Sequence, residues 1–96
     1  MSNPAIDYTV EKFLINDQPV MNTAIDVVQI LNKINKITIK GMGESCPATV
    51  SVANIITQNM LNGKAKTDKI SLDSEIVDDG RLISTIEIII SKIDNQ

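Results

Sequence analysis

Four groups of residues in this sequence have types and spacings that could do chemistry. Gly41-Met42-Gly43 separates an alternating apolar segment from a run of helical character. Backbone N–H groups exposed in such a turn can cradle an anion, and flexible residues there equally serve a tight turn. The dinucleotide pattern GxGxxG stays incomplete because position 46 is Cys, and no Walker pattern is present. Asp73, Glu75, Asp78 and Asp79 cluster around an Asp-Gly turn. Paired carboxylates can move protons or hold a divalent ion, but this spacing lacks the calcium-loop signature and reads as a solvated face. Lys64, Lys66 and Lys69 form a basic run that could touch phosphate or simply sit in solvent. Cys46 is the one thiol, and with no His anywhere in the chain it lacks the usual activating base. It reads as a small buried hydrophobe.

The absence of His also excludes imidazole metal sites and Ser-His-Asp triads. Nothing assembles a nucleophile, a base and an oxyanion donor. No catalytic residue, metal or cofactor is therefore expected, and the chain is not read as an enzyme. Aromatic residues are only Tyr8 and Phe13, too few for a base-stacking platform. Nine basic residues stand against twelve acidic ones, a net charge of −3. Taken alone, that balance argues against a non-specific nucleic-acid binder. A lone cysteine, no secretory pattern and no long apolar run give a cytoplasmic, non-membrane expectation.

The elements that must position these groups are legible from periodicity. The 96 residues suit one domain, expected over 7–93 with flexible ends at 1–6 and 94–96. Tyr8 to Ile15 alternates like a strand. After Asn16-Asp17-Gln18, Pro19 suits a first helical turn. Val20, Ala24, Val27, Leu31 and Ile34 then mark an amphipathic helix over 19–34, widened by Val28 and Ile30. Lys36 to Met42 predicts a second strand. Glu44 to Pro47 opens a second helix, with Val50, Ala53, Ile56 or Thr57, and Met60 as its apolar stripe, running to about Leu61. Lys64 to Lys69 reads as a polar connector. Ile70, Leu72 and Ile76 carry a third strand, Asp78 to Arg81 a hairpin turn, and Leu82 to Ile93 the last strand. The order β-α-β-α-β-β predicts an α+β two-layer sandwich, two helices on one face of a mixed four-stranded sheet. Its first two strands should be parallel and its last two antiparallel.

Three stretches in register, Pro19-Val20-Met21-Asn22, Ile37-Thr38-Ile39-Lys40-Gly41-Met42-Gly43, and Asp79-Gly80-Arg81 followed by Ile83-Ser84-Thr85-Ile86-Glu87-Ile88, resemble Alba. That family comprises small archaeal chromatin and RNA-binding proteins, with relatives in eukaryotic ribonuclease P complexes. The second stretch is similar to the family's I-x-I-K-A-x-G, and the likeness runs from about residue 8 to residue 92. It implies the same fold, and a homodimer that lays two hairpins along a duplex and contacts the backbone from the loop before the first helix.

The charge reversals are confined to the expected contact surface. Asp17-Gln18 replaces a basic pair, Met42, Glu44 and Ala48 occupy basic positions, and the hairpin carries its four carboxylates. Among matched positions Asn22, Lys40 and Arg81 keep types suited to phosphate or sugar. With Lys64, Lys66 and Lys69 they are the nucleic-acid-contact candidates. Met60, Leu61 and Ile89 are candidates for contact within or between dimers. The reading is a DNA- or RNA-binding protein with a chromatin or ribonucleoprotein role. Its alternative is an acidic Alba-like paralogue with weak or lost binding that pairs with a basic Alba-like partner.

Overall fold

The computed structural model describes residues 11–93. Tyr8, Thr9 and Val10 of the expected first strand, and the expected flexible ends, lie outside the described residues. Strand β1 is Glu11–Leu14 and strand β2 is Lys36–Met42. They pair in parallel, Phe13 opposite Ile39, and helix α1, Val20–Ile34, crosses between them. Pro19 stands at the head of α1, and its fixed φ of −55° suits that place. Asn35 closes the helix in the left-handed conformation, φ 69°, its N–H donating to the Leu31 carbonyl.

A 3₁₀ turn at Gly43–Ser45 leads into helix α2, Cys46–Ile55. The expected continuation to Leu61 is not α-helical. Ile56–Met60 form one π turn, and the Leu61 N–H donates to the Ile56 carbonyl at 2.8 Å. Strand β3, Ala65–Ile76, and strand β4, Leu82–Lys92, form a long antiparallel hairpin. Lys64 to Lys69 is thus not a connector: from Ala65 onward it is strand. Spatial order is β1-β2-β4-β3, which leaves β3 on an edge.

The core lies between the helices and one sheet face. Ile37 and Ile39 of β2 stand beside Ile90 and Ile88 of β4, and Ala24, Val27, Leu31, Val52 and Ile56 close over them. Two threonines take inward helical places. Thr23 donates to the Pro19 carbonyl and Thr49 to the Ser45 carbonyl, at 3.4 and 2.8 Å, so each hydroxyl is satisfied within its own helix. Val50, expected in the α2 stripe, is instead exposed, and Thr49 and Val52 face inward. Gly41 is buried against this same turn of α2, where a Cβ would lie 2.7 Å from the Ser45 carbonyl oxygen.

From Ile70 onward β3, on the sheet edge, and β4 before Ile86 lie outside the cover of the helices. Ile70, Leu72, Ile76 and Leu82 are 58, 77, 74 and 69% exposed. By the alternation of the ladder they share the face that carries Ile86 and Ile88. The hairpin is therefore an arm with an uncovered apolar side. Gly80, φ 88°, turns its tip, and the Val77 N–H donates to the Arg81 carbonyl.

Candidate nucleic-acid interface

The loop after β1 delivers α1 at the end of the sheet where Leu14 pairs with Lys40. Asn22 lies exposed in the first turn of α1, Met42 and the 3₁₀ turn close the same end, and the arm projects from it. Asn22, Lys40 and Arg81 therefore belong to the arm end. Lys64 and Lys66 belong to the opposite end, where β3 begins beside Lys92 and Ser91. Lys69 lies between them, opposite Ile89. The six contact candidates do not form one surface.

Electrostatics separates them further. Lys40 is opposite Glu87 in the ladder, and its Nζ lies 2.9 Å from Glu75 and 3.9 Å from Glu87. Glu87 also takes Lys12 at 3.2 Å. The hydrogen bond to Glu75 raises the Lys40 ammonium above its ordinary value. Burial opposes that rise, and the charges of Glu75, Glu87 and Asp73 add to it. Lys40 is held charged but already paired. Arg81 is likewise engaged by Asp79, its Nε donating at 2.7 Å. A phosphate reaching the arm end meets cations that already have carboxylate partners, and Asp73 and Asp78 stand exposed beside them.

At the other end a shallow hollow of about 500 Å³ is lined by Lys36, Lys66, Lys92, Asp68, Asn35 and Ser91. Asp68 is the extra residue where the β3–β4 register shifts between Thr67 and Lys69. Its carboxylate lies 3.9 Å from Lys36 and 3.8 Å from Lys66. Lys33 stands in the last turn of α1. Lys33 and Lys36 flank the end of α1 and Lys92 ends β4, so no sequence motif joins the three. The pairing of both Lys36 and Lys66 with Ser91 brings Lys36 beside the β3 lysines.

The dimer candidates also separate. Ile89 is half-buried on the sheet face away from the helices, while Met60 and Leu61 are half-buried in and after the π turn, packed against the core. Cys46 is half-buried rather than enclosed, its Sγ 3.7 Å from the Gly41 carbonyl and 3.6 Å from that of Ser84. It opens on an apolar groove of about 520 Å³ with Pro47, Val50, Leu72 and Ile86. Asp73 also lines that groove, so the acidic cluster adjoins an apolar hollow that its sequence context did not imply. Among the described residues no group of His, Cys, Asp or Glu is arranged to hold a metal ion, and no helix is long and apolar enough to cross a membrane.

The Alba family model matches residues 11–74. Alba from Thermoplasma volcanium superposes with a TM-score of 0.71 at 34% identity, over 83% of this chain and 98% of that one. ALBA1 from Trypanosoma brucei has the same fold, with a TM-score of 0.71 at 14% identity, over 86% of this chain and 69% of that one. No curated protein gives a significant match. With the fold, the family match and a relative of this identity in agreement, the chain belongs to the Alba family, which consists of non-enzymatic nucleic-acid-binding proteins.

Proposed function

We propose that this chain binds DNA or RNA as a dimer, in a chromatin or ribonucleoprotein role, and that its acidic arm adds little to that binding. The observation that carries the reading is the preserved Alba framework, matched over residues 11–74, joined to an arm whose apolar side has no cover in a single chain. Ile70, Leu72, Ile76 and Leu82 with exposed Val50 form a patch of the kind that marks a protein contact. A second copy is the natural cover, because a two-fold interface needs only one self-complementary patch. Met60, Leu61 and Ile89 remain candidates for contacts around or between such dimers.

Two copies carry a net charge of −6, which opposes long-range approach to a polyanion. The pairing of Lys40 with Glu75 and of Arg81 with Asp79 lowers what the arm can offer to phosphate. The same observation favours a second reading, an acidic subunit that pairs with a basic Alba-like partner and tunes its binding.

Fluorescence anisotropy with labelled duplex DNA and with single- and double-stranded RNA, at low and physiological salt, tests the first reading. Its companion is the mass of the purified protein in solution. The expected outcome is a dimer that binds at micromolar concentration in low salt and releases as salt rises. A chain that binds none of the probes at low salt refutes independent binding and leaves the acidic-subunit reading.

A further inference from the structure

We propose that the phosphate-contacting surface of this chain is the end of the sheet opposite the arm, built from Lys33, Lys36, Lys64, Lys66, Lys69 and Lys92. The inference rests on the nucleic-acid-binding reading above and relocates its surface.

Charge is sorted along the sheet. The arm holds Asp73, Glu75, Asp78 and Asp79, with Arg81 tied to Asp79. The opposite end and the part of β3 next to it hold six of the nine basic residues of the sequence, and Asp68 is the one carboxylate among them in the described residues. Three of the six lysines line one hollow, with Ser91 and Asn35 also in its lining. The hollow is open, with Ile34 and Ile93 among its lining residues, and its cations lie on three different strands. That is the form of a surface that follows a sugar–phosphate backbone, with polar groups between positive charges. A small enclosed anion would need converging donors that an open hollow does not supply.

A structural duty does not account for the number. The C-terminus of α1 favours one or two cations, and Lys33 already fills that place. Lysine on an edge strand discourages edge-to-edge pairing, which suits Lys66 and Lys69 on β3; Lys92 donates to the Asn32 side-chain oxygen at 3.2 Å, and neither duty covers Lys36 or Lys64. The ladder itself fixes the geometry. Ser91 separates Lys36 from Lys66 across the sheet, so the two ammonium groups flank one polar residue on one face. Asp68 is placed by the register shift to reach both, a local brake on the same surface.

The test compares the full chain with two variants in the same anisotropy assay, using a labelled duplex and a single-stranded RNA. Lys33→Gln/Lys66→Gln/Lys69→Gln changes only exposed side chains and keeps the ladder backbone. Three lost contacts should lower the magnitude of the log K against log salt slope by about 2 to 3 units and weaken low-salt binding at least about tenfold. Asp68→Asn should tighten binding several-fold and steepen the slope. Arg81→Gln, at the arm, should leave both nearly unchanged. If the parent chain binds but Arg81→Gln weakens it more than the triple variant does, the surface lies on the arm and this inference fails while the reading above stands. If the parent chain binds no probe, both fail together. Solution mass at low salt covers the remaining occupant. A loss of self-association in the triple variant with unchanged nucleic-acid binding would assign the basic end to the acidic arm of another copy and overturn the inference.

Discussion

Gly41→Ala sets two effects of opposite sign against each other, and the structure decides between them. Glycine in a strand interior is ordinarily a liability, so alanine there gains roughly 0.5–1 kcal/mol. The family pattern that the second stretch resembles carries alanine at this position. Here, however, the new Cβ would meet the Thr49 Oγ1 head-on and lie 2.7 Å from the Ser45 carbonyl oxygen and 3.0 Å from the Thr49 Cβ. The hydroxyl is fixed by its own bond to that carbonyl, and the carbonyl belongs to the entrance of α2. Neither can rotate aside, so α2 must move off β2. Overpacking of this kind costs about 1–3 kcal/mol, which exceeds the gain. For a domain of this length each kcal/mol is worth about 4–8 °C in Tm, and the expected net effect is a fall of roughly 5–15 °C. Thermal unfolding followed by circular dichroism at fixed protein concentration measures it. Thr49→Ala in the same background removes the closest clash and leaves the carbonyl one, so it should restore part of the loss, with a coupling of about 0.5–1.5 kcal/mol between the two sites. A Gly41→Ala protein that melts at or above the parent temperature would refute the close-approach argument.

Other outcomes follow from the arm and its charges. Gly80→Ala places a Cβ in open space but at φ 88°, so it should cost about 1–2 kcal/mol through backbone strain alone, read by urea denaturation. Leu82→Asp puts charge on the uncovered apolar side and should yield a monomer in light scattering, with helix content unchanged in circular dichroism. Glu75→Gln should free Lys40 from its 2.9 Å partner and tighten low-salt binding to duplex DNA, as anisotropy would record. Because Lys40 titrates above its ordinary 10.5 in the fold, its pairing supports the native state at all pH values below that figure. That support should be lost only as pH climbs through the raised value. Denaturation midpoints of the parent and Lys40→Gln should therefore differ at pH 8 and converge in strong alkali.

Much of the fold was legible because its interior is written in two clean periods. The bounds of β2 and the end of α1 coincide with the apolar pattern, since isoleucine alternation and a three-four stripe have no competing explanation. The beginning of β3 was not legible. Lys64 to Lys69 has no alternation to display, because an edge strand at a register shift is held by backbone bonds and buries only Ala65. The α2 stripe misled at Val50 because threonine does not count as apolar in such a pattern. Thr49 enters the core once its hydroxyl is satisfied by the previous turn. Site residues were legible as types but not as neighbours. Lys40 looks free in a linear reading, and only the ladder register puts Glu87 opposite it and brings Glu75 within reach. Lys36, Lys66 and Lys92 looked unrelated for the same reason.

The long hairpin also divides the ladder into two kinds of hydrogen bond. Amides near Ile88 and Ile90 are sealed between helices and sheet and open only when the whole domain does. Those between Leu72 and Leu82 are backed by nothing in a single chain, and local opening there costs little. Amide hydrogen exchange should therefore split one continuous strand, β4, into a slow half and a fast half. The fast half should slow once its apolar side is covered. Protection of the arm becomes a reporter of its cover, readable residue by residue without a label.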